Sequence, residues 1–529
     1  MTSNYELIGN SWLRAKYELG DFPLTHISYI GPRPKKDISD DHIVEVYPKT
    51  YFSGGTVGHH LEFGLKYDDL RLDFLKRVFD RLRVSDLEAY ILMKPRGSYQ
   101  RRIGYLFELL TGKKLSLADT GRVNYLDLID PDRYVTGNTV KHQRWAINDN
   151  LPGTADYCPV IRNTAALSEA LSTNFAKEMD NVAGQFPGNV YRRAVNYLYT
   201  KETRSSYQIE HEDPSPDKMN RFIALLEKAG KDPVSTVMTE ENLTQLQNQI
   251  IDPRYIDKGF RNDQNFVSQS TTDGTQLYHY ICPPPQLVRS MMKGLSKLTT
   301  RIGEQHPIVQ ATMTAFGFVF IHPFNDGNGR IHRFLIHDVL TRNQLVKPGV
   351  VIPVSAHMLK NMDEYDQALE HYSKPLMKRI QYTEHPDRSV TVTNAKEIDG
   401  YFRYPDLTRQ CIYLANTVRL TIREDIFQEL DFMVRYDEAR SALQNVVGLP
   451  DRRLNLFMQF LYQNNGQLPK RRRSEFVDLS DQEIGSMESI FQKIFAGSAA
   501  KKATTETTDD SAQKSNVAPR KKRSRRLGI

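Results

Sequence analysis

The chain has 529 residues with a hydrophobic content of 39%, so it is too long for one ordinary core and predicts two to four packed domains. It has no long apolar run and no apolar N-terminal leader, so we expect neither a membrane span nor a secretory signal. The formal net charge is +7, but residues 497–529 contribute +6 of it, so a globally basic binding surface is also excluded.

The three cysteines, Cys158, Cys282 and Cys411, lie far apart in the sequence. Their spacing fits neither a zinc site built on CxxC pairs nor a disulfide framework. We therefore expect buried structural thiols and a protein of the reducing cytoplasm.

Residues 1–155 predict an N-terminal mixed α/β domain of unknown role. The stretch HIVEVYPKTYF is typical of a strand, and DLRLDFLKRVFDRL repeats apolar residues at a helical period. SYQRRIGYLFELLTGKKL predicts a helix that ends at Gly112. Residues 147–164, INDNLPGTADYCPVIRNT, contain Pro and Gly in the pattern of a linker.

Residues 160–400 predict a mainly helical domain interrupted by one β-hairpin, in which two extended runs flank a TTDG turn at about 264–281. The prolines that follow end the second strand and open another helix. Residues 401–496 predict a small helical or winged-helix-like module. Residues 497–529 predict a disordered basic tail, whose RKKRSRR run could bind nucleic acid or acidic lipid, although a merely charged tail is favoured.

The stretch FIHPFNDGNGRIHR, residues 320–333, carries the chemistry. The preceding PIVQATMTAFGFVFI is apolar on nearly every side, which predicts a buried helix that Pro323 ends. A second helix is predicted to begin near Arg330. The DGNG loop between them can expose backbone N–H groups at a helix N-terminus, which is an arrangement that binds anions.

The side chains around this loop suit a nucleotide. Arg330 and Arg333 lie one turn apart and can hold phosphate oxygens, and Asp326 can hold Mg²⁺. His322 can take a proton from a hydroxyl at neutral pH. Together they predict phosphoryl or nucleotidyl transfer. Taken one at a time, His322 could be a core histidine, Asp326 a helix cap, and the two arginines surface charges. Those interpretations leave the two glycines of the loop unexplained.

HPFNDGNGR, followed by Arg333, resembles the signature of the Fic (Fido) family, HPFx[DE]GNGRxxR. The resemblance implies a mainly α fold with an all-helical Fic core and a small β-hairpin flap. It also implies transfer of AMP from ATP to a Ser, Thr or Tyr hydroxyl of a target protein, with Mg²⁺ and release of pyrophosphate. The resemblance covers roughly residues 164–380.

The resemblance also implies residue roles. His322 would be the base, Asp326 the Mg²⁺ ligand, and Arg333 the ligand of the γ-phosphate. The nucleotide-binding segment as a whole would consist of Asp326, Gly327, Asn328, Gly329, Arg330, Ile331, His332 and Arg333. Within it, His332 occupies no defined motif position, and like His337 it is interpreted as an ordinary helix residue.

The upstream stretch SSYQIEH resembles the inhibitory motif of the family, [ST]xxxE[GN], with Ser206 and Glu210 in place. This implies an inhibitory helix at about 196–212, whose Glu210 forms a two-pronged pair with Arg333 where the γ-phosphate would bind. His211 departs from the motif because the family has Gly or Asn there. The alternative is an exposed helical glutamate with Ser205 or Ser206 as a cap.

Two further features follow from the resemblance. The hairpin at about 264–281 matches the flap that aligns an extended segment of the target protein by adding a strand. Tyr365 falls where the family has a YY pair near the adenine, although Asp366 replaces the second tyrosine. A core tyrosine is an equally good interpretation of Tyr365.

Other functions remain open at this point. A Fic enzyme could transfer another nucleotide or phosphate-containing group, or remove AMP. The Doc branch, which phosphorylates, has lysine in place of the second glycine, so Gly329 argues against it. A nucleotide-sensing regulator that binds DNA is the alternative from another class, but an intact His322 disfavours it. The target and the oligomeric state are not encoded.

Overall fold

The structure, a computed structural model, describes residues 5–20, 22–39, 42–51, 54–273, 275–347 and 349–506, with side chains described as far as residue 496. The fold is mainly α-helical, which confirms the predicted class. The described residues form two compact units: one joins the chain up to Ala176 with Tyr199–Arg419, and the other joins Lys177–Leu198 with the chain from Leu420 onward. Over the described ranges, no helix is both long and apolar enough to cross a membrane.

The first unit begins with a four-stranded sheet in the order β1-β2-β4-β3. Its strands are β1 (Glu6–Leu7), β2 (His26–Ile30), β3 (Lys35–Ser39) and β4 (His42–Tyr47). Strands β2 and β4 are parallel, and the other two pairings are antiparallel. The helices of this region are α1 (Gly9–Lys16), α2 (Val57–Tyr67), α3 (Leu72–Arg81), α4 (Val84–Met93) and α5 (Ser98–Thr111).

Helices α3 and α5 confirm two predictions from periodicity. The apolar side chains that α3 buries recur at the helical period: Leu72, Phe74, Leu75, Val78 and Phe79. Helix α5 ends at Gly112, which takes the left-handed backbone (φ 68°) that commonly closes a helix. The N-terminal region is therefore mixed α/β, as its sequence predicts.

The expected linker at residues 147–164 is instead a packed part of the first unit. It opens with β7 of a three-stranded sheet ordered β5-β7-β6. These strands are β5 (Leu126–Asp127), β6 (Val140–His142) and β7 (Ile147–Asp149). Tyr157 and Ile161 are fully buried. Gly153 permits the tight turn here, since a Cβ would lie 2.2 Å from the carbonyl oxygen of Tyr157. The linker prediction was wrong because Pro and Gly mark turns whether or not they are exposed.

The three cysteines are free and buried. Burial raises the pKa of each thiol to about 12, so none is a thiolate at neutral pH. Their burial and high pKa values support the expected structural role for all three thiols.

Fourteen further α-helices lie between residues 165 and 420 of the described chain. They are α6 (Ala165–Leu171), α7 (Phe175–Gly184), α8 (Gly188–Ile209), α9 (Pro216–Leu226), α10 (Val234–Val237), α11 (Glu240–Ile250), α12 (Pro285–Arg301), α13 (Pro307–Ala311), α14 (Gly317–Ile321), α15 (Asn328–Arg342), α16 (Val354–Lys360), α17 (Met362–Met377), α18 (Ala395–Arg403) and α19 (Thr408–Leu420). A π-helical turn, Thr312–Phe316, joins α13 to α14.

The helix before the DGNG loop is buried, as predicted; the helix after it begins at Asn328, two residues before the predicted start, and is buried as well. Every residue from Thr312 to Phe324 is buried, and α15 is buried from Asn328 to Leu340. Helix α14 ends at Ile321, before Pro323. The loop is thus held between two helices that cannot shift without disturbing the core.

The predicted hairpin is present as β8 (Phe266–Ser270) and β9 (Gln276–Ile281), which pair antiparallel. Helix α12 starts at Pro285, so the proline run opens a helix as expected. A second hairpin, β10 (Tyr382–Glu384) and β11 (Val390–Val392), was not predicted. The rings of Tyr278 and Tyr382 join the two hairpins, with centroids 5.5 Å apart.

The second unit contains α20 (Phe427–Val446), α21 (Asp451–Gln463) and α22 (Asp481–Glu506). Between Leu420 and Glu506 the described chain has no strand, which favours a helical module over a winged helix. Helix α22 continues to Glu506, ten residues into the predicted tail, where AGSAAKKA offers good helix formers. The rest of that tail, including RKKRSRR, lies outside the described residues.

Candidate active site

The loop between α14 and α15 passes twice through left-handed backbone. His322 has φ 54° and ψ 60°, and Gly327 has φ 88°. Glycine adopts this conformation freely, whereas a histidine there is uncommon and strained. Such strain persists only where neighbouring contacts hold it, and it is concentrated at functional sites.

The imidazole of His322 is arranged to accept a proton. Its Nδ1 lies 3.1 Å from the carbonyl oxygen of Val319. Because a carbonyl can only accept, Nδ1 carries the hydrogen and Nε2 keeps its lone pair. Burial lowers the pKa of His322 to about 4, and the positive charge of Arg261 acts in the same direction. The ring is therefore neutral at pH 7.

The loop is fixed by side-chain amides. Asn328 accepts a hydrogen bond from the backbone N–H of Phe324 (3.0 Å) and donates to its carbonyl (2.8 Å). Asn265, just before β8, also donates to the carbonyl of Phe324 (3.0 Å). Asp257 accepts from the backbone and side chain of Asn325 at 3.0 and 2.9 Å. The first N–H groups of α15, which have no partner within the helix, are thus held in place.

Asp326 is the exposed member of the site, with its side chain 57% accessible. Its carboxylate accepts from the N–H of Gly327 (2.5 Å) and from Arg330 (3.0 Å). The side chain of Gln247 donates to its backbone carbonyl (3.3 Å). Asp326 therefore presents a carboxylate to solvent at the start of α15.

Arg333 is fully buried and is held by the end of α8. Its Nε donates to the Ser206 hydroxyl (2.8 Å), and its NH2 donates to the Ser206 carbonyl (2.7 Å) and to Glu210 Oε1 (2.7 Å). Burial acts to lower the pKa of Arg333, but the Glu210 carboxylate and Tyr365 together outweigh it and the pKa is raised. The expected two-pronged pair is instead a single hydrogen bond to Glu210, because Ser206 occupies Nε.

Glu210 does not lie on an exposed helical face. Its side chain is 14% accessible, and a Cβ on Gly329 would lie only 2.2 Å from Glu210 Oε1. The carboxylate therefore sits directly against the first turn of α15. The second glycine of the motif is the residue that leaves room for it.

Helix α8 ends at Ile209, which makes Glu210 its cap. The N–H of His211 donates to the carbonyl of Gln208 (3.0 Å), and that of Glu212 donates to the carbonyl of Tyr207 (3.1 Å). This is the Schellman pattern, which needs left-handed backbone at the position of His211. His211 adopts it, with φ 58°. The Gly or Asn of the family motif thus has a conformational reason, and histidine meets the same requirement at a cost.

Arg330 is held by a second carboxylate from the same segment. Its NH1 donates to Glu212 Oε2 (2.6 Å), and its guanidinium lies 5.1 Å from the ring centre of Tyr207. Glu212 in turn pairs with Lys218. Both arginines of the motif are therefore engaged by residues at the end of α8.

Three other residues considered in the sequence point into the core. Ile331 and His332 are fully buried, and the His332 ring packs edge-on against Phe316 with centroids 4.7 Å apart. Burial lowers the pKa of His332 to about 3. Tyr365 is also fully buried, between His332 and Tyr413. These side chains build the wall behind the site.

Glu202, four residues before Ser206 on α8, makes a further set of buried contacts. It is fully buried and accepts from the backbone N–H of Ser355 (2.8 Å) and from the Ser355 hydroxyl, and it contacts His337 Nε2 (2.7 Å). His337 is thus a partner of α8 rather than an unremarkable helix residue. The spacing of Glu202, Ser206 and Glu210 at four-residue steps was the available signal for this shared face.

The sequence did not reveal Arg261 or Glu212. Arg261 is buried and donates to the carbonyl of His322 at 2.7 Å. It belongs to no recognised pattern and lies 61 residues from its partner. Glu212 was visible only as one of several charges after the motif.

We expect substitutions at His211 to change the stability of this helix end. His211→Gly should slow amide exchange across residues 207–213 because glycine adopts left-handed backbone without strain. His211→Val should accelerate it by about tenfold or more, since a β-branched residue resists that conformation. Hydrogen–deuterium exchange of the peptide covering these residues measures both effects. Gln208→Ala, at an exposed side chain, is the control; equal exchange in all variants would contradict the assignment.

Residues 237–340 match the Fic/DOC family model. The chain is similar to the structure of a Fic family protein from Desulfovibrio desulfuricans G20, with 18% identity, a TM-score of 0.37, and coverage of 58% of this chain and 90% of that one. It is also similar to a Fic domain containing signaling protein from Bacteroides thetaiotaomicron VPI-5482, with 15% identity, a TM-score of 0.29, and coverage of 50% and 97%. No curated protein matches it.

The family match includes the hairpin β8–β9, the loop that follows α14, and helix α15 as far as Leu340. Ser206 and Glu210 lie outside it. Residues 237–340 of this chain are a Fic/DOC family domain region, built on a mainly α-helical fold.

Proposed function

We propose that this protein is a protein adenylyltransferase, which transfers AMP from ATP to a Ser, Thr or Tyr hydroxyl of a target protein and is held inactive by Glu210. The observation that carries the proposal is a neutral His322 beside a helix start at which two arginines, Arg330 and Arg333, are buried. Buried arginines at a helix N-terminus suit a polyphosphate better than any neutral ligand.

The arginines retain capacity for a further acceptor. Among the described residues, NH1 of Arg333 and Nε of Arg330 are buried and have no hydrogen-bond partner. Buried side-chain atoms without a partner also occur elsewhere among the described residues, so these two support an acceptor only together with the glycine loop and helix start beside them. The oxygens of a triphosphate fit this need, and the N–H groups at the start of α15 add to it.

Asp326 would hold Mg²⁺, which when bound neutralises phosphate charge. A single exposed carboxylate suits this ion, because Mg²⁺ bound to a nucleotide takes few protein ligands.

His322 would remove the proton from the target hydroxyl. The hydroxyl oxygen attacks the α-phosphorus, the bond from that phosphorus to the bridging oxygen of the β-phosphate breaks, and pyrophosphate leaves. The proton goes to Nε2, the ring nitrogen that the hydrogen bond to Val319 leaves available. A positioned base of this kind contributes about 10²–10⁴-fold to a rate.

The target would be presented by the hairpin β8–β9. A two-stranded hairpin has unpaired backbone groups at its outer edges and can add an extended segment as a further strand. Main-chain pairing selects an extended shape more than a particular sequence. The proposal therefore names a class of target, a protein with an accessible extended segment that carries a hydroxyl.

Glu210 would inhibit by occupying the ligand site of Arg333. Its carboxylate lies 2.7 Å from NH2 of that arginine and against Gly329, where a γ-phosphate would otherwise be bound. The γ-phosphate and the Glu210 carboxylate would need the same space beside Gly329 and carry like charge, so productive ATP binding requires the end of α8 to move. Glu212 would add to the inhibition by holding Arg330.

Glu210→Gly should raise the transfer of AMP to the protein itself and to targets in a cell extract. A hydrogen bond to a charged group contributes about 1.5–3 kcal/mol, which corresponds to a rise of roughly 10- to 100-fold. Incubation with labelled ATP, GTP, CTP or UTP, followed by intact-mass measurement, identifies the transferred group. His322→Ala in the Glu210→Gly background should abolish labelling.

Two outcomes would contradict the proposal. Equal labelling in the wild type and Glu210→Gly would remove the inhibitory role. No labelling with any nucleotide, together with salt-dependent DNA binding, would favour a regulator over an enzyme.

Glu212→Gln should raise the same transfer by a smaller factor. The Glu212–Arg330 pair is partly exposed, so its contribution is about 0.5–1 kcal/mol and the expected rise is about two- to fivefold. Glu227→Gln is the matched control, because Glu227 is exposed at the end of α9 and contacts neither arginine. A rise equal to that of the control would show that Glu212 has no share in the inhibition.

A further inference from the structure

Arg261 is a buried cation whose hydrogen bonds go to backbone carbonyls alone. Its side chain makes three short hydrogen bonds, to the carbonyl oxygens of His322 (Nε, 2.7 Å), Asp263 (NH1, 2.7 Å) and Pro283 (NH2, 2.6 Å). A fourth, longer bond joins NH2 to the carbonyl oxygen of Ile321 (3.5 Å). The residue is 2% exposed, and within the described part of the chain it has no ion-pair partner.

The three carbonyls of the short bonds belong to two functional parts of the molecule. Asp263 precedes β8 and Pro283 follows β9, so both ends of the hairpin are held. His322 is the residue in strained left-handed backbone. The backbone N–H of Arg261 also donates to the carbonyl of Pro323 (2.8 Å), so the peptide units on both sides of this turn are fixed.

Keeping this charged side chain buried costs free energy of folding, which a purely structural contact does not require. Burial lowers the pKa of Arg261, which means that the folded protein bears a cost for keeping the side chain charged. Lysine could not reproduce the contacts, because only the planar guanidinium presents several donors in fixed directions. We expect an interaction of this cost where the exact position of a backbone segment is needed for function.

We propose that Arg261 is a positioning residue, which locks the backbone of His322 to the two ends of the hairpin β8–β9 so that the base and the target-holding strands form one rigid piece. The inference rests on the proposed function and adds to it a residue outside the HPFNDGNGR motif. Arg261 touches neither the nucleotide segment, residues 326–333, nor the reacting atoms. It would act on the rate of transfer and not on ATP binding.

The test compares Arg261→Lys and Arg261→Gln in the Glu210→Gly background. Displacing the base by about 1 Å should lower kcat for AMP transfer by roughly 100-fold. The KM for ATP should stay within about twofold, because no contact to the nucleotide is removed. Arg289→Ala is the matched control: Arg289 donates to the carbonyl of Phe260 (3.2 Å) and to Asn262 (2.7 Å), beside Arg261, without contacting His322.

A second readout does not depend on activity. In protein labelled with ¹³C at histidine Cε1, the His322 resonance, assigned with a His322→Gln variant, should shift or broaden in both Arg261 variants and remain unchanged in Arg289→Ala. If the parent protein transfers nothing, the proposed function fails, and this resonance still decides the role of Arg261.

Three results would overturn the inference. One is an unchanged His322 resonance and kcat in a folded Arg261 variant. Another is an equal effect of Arg289→Ala. The third is loss of folding in both Arg261 variants, judged by circular dichroism, which would make Arg261 a residue of general stability.

Discussion

The fully buried guanidinium of Arg333 needs acceptors that balance its charge, and the candidate site is arranged around this requirement. The side chain is completely enclosed, so removing its partner without replacing it would leave an uncompensated charge in the core. Glu210 and Ser206 supply the compensation here. In the proposed function a triphosphate would supply it instead, so that inhibition and substrate binding would be alternative solutions of one electrostatic problem. The equilibrium between them is set by the difference in free energy between the two partners.

The contacts of Glu210 and Ser206 with α15 belong to a packed helix pair and are not added at its surface. Helices α8 and α15 run antiparallel, since Glu202 meets His337, Ser206 meets Arg333, and Glu210 lies against Gly329. The far contact is fully buried and also ties α8 to Ser355. The end at Glu210 is more accessible and closes on a strained His211. Because the contacts are less buried at Glu210 than at Glu202, the helix end can open while the contacts of Glu202 remain. Glu210 can therefore leave Arg333 without unfolding of the domain.

The sequence was sufficient where the signal is local. Gly327, Gly329 and the flanking apolar helices specify the loop by themselves, and the TTDG turn specifies the hairpin. Contacts made across long stretches of chain were not predictable: Arg261 reaches the carbonyl of His322, and Glu202 reaches the backbone of Ser355 across 153 residues. Backbone N–H and carbonyl groups carry no side-chain identity, so no pattern of residue types records contacts to them. The packed segment around Tyr157 was misjudged for a related reason, because burial depends on the rest of the fold.

The central claim is that Glu210 occupies the place of a nucleotide phosphate. The most direct test is a pair of crystal structures, of the wild type and of Glu210→Gly, each soaked with Mg²⁺ and a non-hydrolysable ATP analogue. The account predicts that in the variant the triphosphate lies against the start of α15 with its γ-phosphate on Arg333. In the wild type that phosphate should be absent from Arg333. A triphosphate bound at Arg333 while Glu210 stays in contact with it, or no triphosphate at this loop in either protein, would contradict the account.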